Sequence, residues 1–169
     1  IASAASLAAK EDDLKNLKFI TLGNGEEYSR LKSETQHLDN FLMIGQVASA
    51  EVSQYWSICD LCIVHLRNSE LFKTVIPSKI FEAIGMGIPI LIGVKGEAEA
   101  LVCKTNVGLP FKPEDPFALL EAIRLLINKN ELRRQLKSNC RKAALTFDRG
   151  ALARKMCWCL ENVVQNKKS

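Results

Sequence analysis

Five short apolar runs, each followed by a stretch of helical spacing, constrain this chain more than any other feature. The runs are Leu17–Leu22, Asn40–Ile44, Asp60–Leu66, 89–94 and Val107–Phe111. Helices are expected between them at about Glu26–Gln36, Ser49–Cys59, 78–86 and Glu97–Cys103. Pro113 and Pro116 then mark a turn, and three helical stretches follow at about 116–128, 130–145 and 149–165. A strand covered on both faces reads as an unbroken apolar run, and strands separated by helices of this length pair in parallel. The expected fold class is α/β: one parallel sheet with helices on both faces and right-handed connections.

Composition adds modest bounds. The chain has 169 residues, 47% of them apolar and 25% charged, which suits one globular domain with a real core. No apolar run approaches the roughly 18 residues that a membrane-spanning helix needs. The opening IASAASLAAKEDDLKN reads as the middle of a helix and lacks a Met, so a piece of a larger polypeptide is expected.

Six cysteines are scattered as Cys59, Cys62, Cys103, Cys140, Cys157 and Cys159. Cys59 and Cys62 form a CxxC, but no second pair at zinc spacing accompanies them, so reduced core thiols are expected and no metal site. Charge is uneven. From Arg124 to the end there are twelve bases against three acids, and before it eleven bases against sixteen acids. The basic part comprises Arg133, Arg134, Lys137, Arg141, Lys142, Arg154, Lys155 and the tail Lys167-Lys168. It reads as a solvated helical surface or as a face attracted to anionic headgroups. Few aromatics interleave with these charges, which argues against nucleic acid as a partner.

Ligands of parallel sheets bind beyond the carboxyl ends of the strands. The segments placed there are Gly23–Gly25, Gly45-Gln46-Val47, His65–Pro77 and Val94–Glu97. The first reads GNGEEY, with Tyr28 where a dinucleotide fingerprint needs its third glycine, and there is no P-loop. The richest segment is TVIPSKIFEAIGMGIPILIGVKGE, residues 74–97. Pro77 suits a first helical turn, Ser78 an N-cap, and Gly85 and Gly87 a helix end. Glu82 then lies about one turn in, near the positive end of the helix, where anionic ligands bind and where one carboxylate can accept hydrogen bonds from two sugar hydroxyls. The amides of Ile76, Ser78 and Lys79 are the available donors to a phosphate, with Lys73 and Lys79 adding charge or facing solvent. His65 is read as a structural histidine, His37 as a surface residue, and Trp56 and Trp158 as core.

The ordered set GNGEEYSRLK, NFLMIGQV, SQYWSICDLCIVHL and PSKIFEAIGMGIPILIGVKGEAEALV resembles the C-terminal domain of retaining family 4 (group 1) glycosyltransferases of the GT-B fold. PSK before FEA is closest to bacterial transferases that build surface polysaccharides, and the closing FDRGALARKMCWCLENVV is similar to their terminal helix over 147–169. The resemblance implies a Rossmann-like domain, 1–169, that forms the donor-binding half of a larger two-domain enzyme. It implies a nucleotide-sugar, commonly a UDP-sugar, as substrate, no cofactor, and a saccharide or lipid-linked acceptor. It implies a cytoplasmic enzyme, peripheral at the inner face of the plasma membrane.

Residue by residue, Glu82 matches the second Glu of the family's E-x7-E motif, which binds the ribose hydroxyls. Thr74 stands where the first Glu, a donor-sugar contact, is found in many members. Val75-Ile76-Pro77 replaces the Gly-Phe-Gly segment. Gln46 and Val47 match a loop whose backbone reads the base edge, and Gly23 and Gly25 wall the same pocket. Gly96-Glu97 matches a glycine loop near the donor sugar. No catalytic residue is assigned. Two alternatives stay open: a UDP-N-acetylhexosamine 2-epimerase-like GT-B protein, and a non-catalytic Rossmann-like interaction domain.

Overall fold

The computed structural model describes residues 1–67 and 69–166, with side chains undescribed at 165 and 166. The helix α1 (Ala2–Ala8) and a 3-10 turn (Asp12–Leu14) lead into β1 (Phe19–Leu22), α2 (Tyr28–Thr35), β2 (Phe41–Ile44) and α3 (Val52–Ser57). Next come β3 (Cys62–His65), a second 3-10 turn (Glu70–Thr74), α4 (Lys79–Met86), β4 (Ile90–Gly93), α5 (Glu97–Lys104) and β5 (Gly108–Pro110). Three helices close the chain: α6 (Pro116–Asn128), α7 (Asn130–Thr146) and α8 (Arg149–Asn166). Every expected strand and helix is present, most of them trimmed at the ends.

All pairing is parallel, as expected, but the single sheet is present as two ladders. β1 pairs with β2, and β3, β4 and β5 form the second ladder in that order. Period and composition predict a strand's class and burial but not its neighbour, so the break between β1 and β3 was invisible in the sequence.

The core lies on both faces of β4. Ile90, Leu91 and Ile92 are all at 0% exposure. Ile90 and Ile92 pack with Val64, Ile80, Ile84, Val102 and Cys140, on the side of α4, α5 and α7. Leu91 packs with Phe19, Phe41, Phe111, Leu120, Ile123 and Leu126, on the side of α1 and α6. Successive side chains of a strand point to opposite faces, so one strand with helices on both sides needs three apolar residues in a row. Burial of this order stabilises by roughly 1.5–3 kcal/mol for each large aliphatic side chain.

Local chemistry fixes the helix ends. Asp115 caps α6, accepting from the amides of Phe117 and Ala118 at 3.1 Å each, with Pro116 in the first turn. Gly87 ends α4 in the left-handed region, at φ 71°, where a glycine costs least. Gly85 lies inside the helix and does not help to end it.

Two expectations about burial need correction. Trp158 is 65% exposed, not core, and Cys103, Cys157 and Cys159 are exposed as well. Leu152, Met156 and Leu160 of α8 are also exposed, because that helix turns its apolar side away from both core clusters. Helical spacing shows that residues share a face but not that another element covers it. Trp56, by contrast, packs against the core. Cys62 and Cys140 are buried thiols whose pKa burial pushes up, to about 12 and about 11, which makes them inert. The basic residues of α7 and α8 are largely exposed, and Lys167-Lys168 lies outside the described residues.

Candidate functional site

Four loops leave the carboxyl ends of the strands. The first two are stitched together. Gly23, at φ 110°, donates its amide to the carbonyls of Gly45 (2.9 Å) and Ile44 (3.3 Å). This brings Gly23–Gly25 beside Gly45-Gln46-Val47, where Gln46 is exposed and Val47 half-buried.

The loops after β3 and β4 are pressed together more tightly. Gly96 sits at φ 93°, and a Cβ there would lie 2.1 Å from the carbonyl oxygen of Lys73. Only glycine allows this approach and this backbone conformation together. Between the two loops lies a small groove with a floor of Leu66, Phe72 and Val94 and a rim of Arg67, Lys73 and Lys95. Lys73 pairs with Glu70 (2.6 Å) and Lys95 with Glu99 (2.6 Å). Arg67 pairs with Glu27 (3.0 Å), which joins the loop after β3 to the start of α2 and so links the two pairs of loops. Arg67 and Lys95 were not singled out in the sequence. Their signal was position, since each follows closely on the end of a buried strand.

α4 follows the loop after β3, which lines one side of this groove. Glu82 is in its first turn with an exposed side chain, as expected. Ser78 does not cap the helix. It already has helical angles (φ −58°, ψ −31°), and its hydroxyl lies 3.4 Å from the Glu82 carboxylate, to which it donates. A capping side chain needs an extended backbone to reach the amides two and three residues on. The carbonyl of Pro77 instead accepts from Ile80 (3.1 Å). The amides of Ile76, Ser78 and Lys79 have no hydrogen-bond partner among the described residues. This is the donor set a phosphate needs at the positive end of a helix. Thr74, in the 3-10 turn, donates its hydroxyl to Leu71 (3.2 Å), so this side chain is held locally.

His65 ends β3 and is held as a structural residue. Its Nε2 accepts the amide of Glu114 (3.1 Å), so the neutral ring carries its proton on Nδ1, and the ring stacks on Phe111 with centroids 6.3 Å apart. Glu114 has φ 59°, so this contact holds a turn that a non-glycine residue adopts at some cost. Burial lowers the pKa of His65 from 6.5. The unfolded chain therefore binds a proton more readily than the folded one. The contribution of His65 is complete above about pH 6.5 and is lost as pH falls through the lower folded value. Unfolding in urea between pH 5 and 8 is expected to show this loss, and His65→Asn is expected to flatten it. An unchanged pH profile in that variant would remove His65 as its source.

Among the described residues no cluster of His, Cys, Asp or Glu is arranged to hold a metal, and no helix is long and apolar enough to cross a membrane.

This architecture recurs in solved glycosyltransferases. WaaG, a glycosyltransferase involved in lipopolysaccharide biosynthesis, matches with a TM-score of 0.71 at 20% identity, over 92% of this chain and 41% of its own. A glycosyltransferase from Rickettsia africae matches with a TM-score of 0.74 at 17% identity, over 98% of this chain and 44% of its own. The C-terminal domain of LpcC, a group 1 family protein from Francisella tularensis, matches with a TM-score of 0.68 at 17% identity, over 86% of this chain and 76% of that domain. The chain thus spans about two fifths of the first two proteins. The parallel ladders flanked by helices are those of the GT-B glycosyltransferases. No curated protein sequence matches the chain. The family model described as glycosyl transferases group 1 matches residues 1–143, and the chain belongs to that family.

Proposed function

We propose that this chain is the donor-binding part of a retaining family 4 glycosyltransferase. It transfers a sugar from a nucleotide-sugar, commonly a UDP-sugar, to a saccharide or lipid-linked acceptor in surface-polysaccharide synthesis. The observation that carries the reading is the start of α4. One exposed carboxylate, Glu82, lies a single turn from three amides that have no partner among the described residues, those of Ile76, Ser78 and Lys79. A ribose diol bridged by one carboxylate and a diphosphate set on helix-terminal amides would use both features of a nucleoside diphosphate. Gln46 and Val47 would face the base. Gly23 and Gly25 would wall the pocket. Lys79 would add charge beside the phosphates. Thr74 would stand near the donor sugar, with its hydroxyl turned to Leu71.

Calorimetric titration with UDP, GDP and ADP tests the reading. One of the three, with UDP expected to be tightest, binds at a single site. Failure of all three to bind the full-length protein would refute it. The reading also places the enzyme in the cytoplasm, at the inner face of the membrane, with the basic surface of α7 and α8 toward anionic lipid at about 1 kcal/mol for each well-placed Lys or Arg. Vesicle co-sedimentation is expected to rise with anionic lipid content and fall with salt. Insensitivity to both would reject the membrane contact and leave the donor site untouched.

A further inference from the structure

The groove between the loops after β3 and β4 is lined by cations but not by the carboxylates that pair with them. Among the described residues its polar side chains are Arg67, Lys73, Lys95 and Ser69. Glu27, Glu70 and Glu99, which hold the three cations, stand outside the lining. Lysine and arginine side chains donate hydrogen bonds and accept none. A sugar hydroxyl both donates and accepts, so a rim of donors satisfies only half of it. A carboxylate only accepts and carries the opposite charge, so it suits this rim on both counts. The existing pairs leave room for it. Each lysine has three donors and Arg67 five, and each spends one on its partner. The side chains of Arg67, Lys73 and Lys95 are 76%, 44% and 49% exposed, and ion pairs at such exposure are weak.

Chain geometry places this rim within reach of the start of α4. Lys73 stands three residues before Ile76, so their Cα atoms are within about 11 Å of each other. Lys95 comes to the same place from the other loop, because its neighbour Gly96 lies against the carbonyl of Lys73. With a diphosphate on the amides of Ile76, Ser78 and Lys79, a pyranose on the second phosphate and the length of a lysine side chain together span the interval. Phe72 on the groove floor offers apolar surface to the C–H face of the ring. The groove is small, so it holds the edge of the sugar and not the nucleotide.

We infer that the donor sugar is acidic, a nucleotide-linked sugar of the uronate class, with its carboxylate held by Arg67, Lys73 and Lys95. The inference rests on the donor-binding reading and narrows its substrate. The same three cations could instead serve the diphosphate, which is also an acceptor-only anion. The two sources differ in one respect. A cation that holds the sugar carboxylate discriminates an acidic donor from its neutral counterpart, whereas a cation that holds the diphosphate strengthens both alike.

Calorimetry on the full-length protein tests this with two matched pairs, glucose against glucuronate and galactose against galacturonate, each carried on the nucleoside diphosphate that binds, expected to be UDP. In at least one pair the acidic sugar is expected to bind roughly 5- to 20-fold more tightly at low salt, with the ratio falling as salt rises. Arg67→Gln combined with Lys95→Gln is expected to bring that ratio to within about twofold of unity. Urea unfolding of the double variant checks that it is folded. Equal affinities within both pairs, or a ratio that the double variant leaves unchanged, would overturn the inference. So would a double variant that weakens acidic and neutral donors by the same factor, since the cations would then serve the diphosphate. Failure of UDP, GDP and ADP to bind would refute the donor-binding reading and this inference with it. Binding of UDP without preference for an acidic sugar would refute this inference alone.

Discussion

Glu82→Ala is expected to weaken UDP binding by roughly 10- to 150-fold with only a small change in the unfolding midpoint. The affinity term follows from chemistry. Hydrogen bonds to a charged acceptor contribute about 1.5–3 kcal/mol, and removing the carboxylate leaves both ribose hydroxyls without it. The stability term follows from the structure. Glu82 is exposed, its carboxylate takes only the long 3.4 Å contact from Ser78, and no ion pair holds it among the described residues. Glu82→Gln keeps an acceptor and loses the charge, so it should fall between wild type and alanine. Calorimetry with UDP and a urea titration on the same variants separate the two effects. Equal UDP affinity in wild type and alanine variant would show that the ribose does not rest on this side chain.

Gly108→Ala should be among the most damaging single methyls in the fold. Gly108 pairs with Ile90 across the β4–β5 ladder, and a Cβ there would lie 1.9 Å from the Ile90 carbonyl oxygen. The obstacle is backbone within a fully buried strand, so no flexible side chain can yield. Overpacking a core costs about 1–3 kcal/mol when side chains can shift, and about 3 kcal/mol or more is expected here. Gly25→Ala is the internal control. No atom lies within 4 Å of its built Cβ, and the change should stay within about 0.5 kcal/mol. Urea unfolding of both variants checks the contrast. Equal stabilities would mean that β5 does not lie against β4 in this register.

Much of this was legible in the sequence, and the reasons differ by element. β4 was readable because Ile90-Leu91-Ile92 is apolar without alternation, and only a strand covered on both faces tolerates that. α6 was readable because Pro113 and Pro116 mark the turn that Asp115 closes as a cap. The position of Glu82 was readable because Pro77 and Gly87 bracket a helix only two turns long. What failed was anything that depends on distant partners. The hydroxyl of Ser78 has the chemistry of a cap, yet the chain enters α4 already helical and turns that hydroxyl to Glu82. Trp158 has core chemistry, yet no described element covers α8 on that side. The clamp of Gly96 on Lys73 joins residues 23 positions apart, and nothing local announces it. The gap between β1 and β3 belongs to the same class, since a strand's sequence does not name its neighbour.

A crystal structure of the full-length protein with UDP is the most direct test. The ribose 2′- and 3′-hydroxyls are expected within hydrogen-bond distance of the Glu82 carboxylate, with the diphosphate on the amides of Ile76, Ser78 and Lys79. UDP bound away from α4, or Glu82 turned from the ribose, would contradict the assignment.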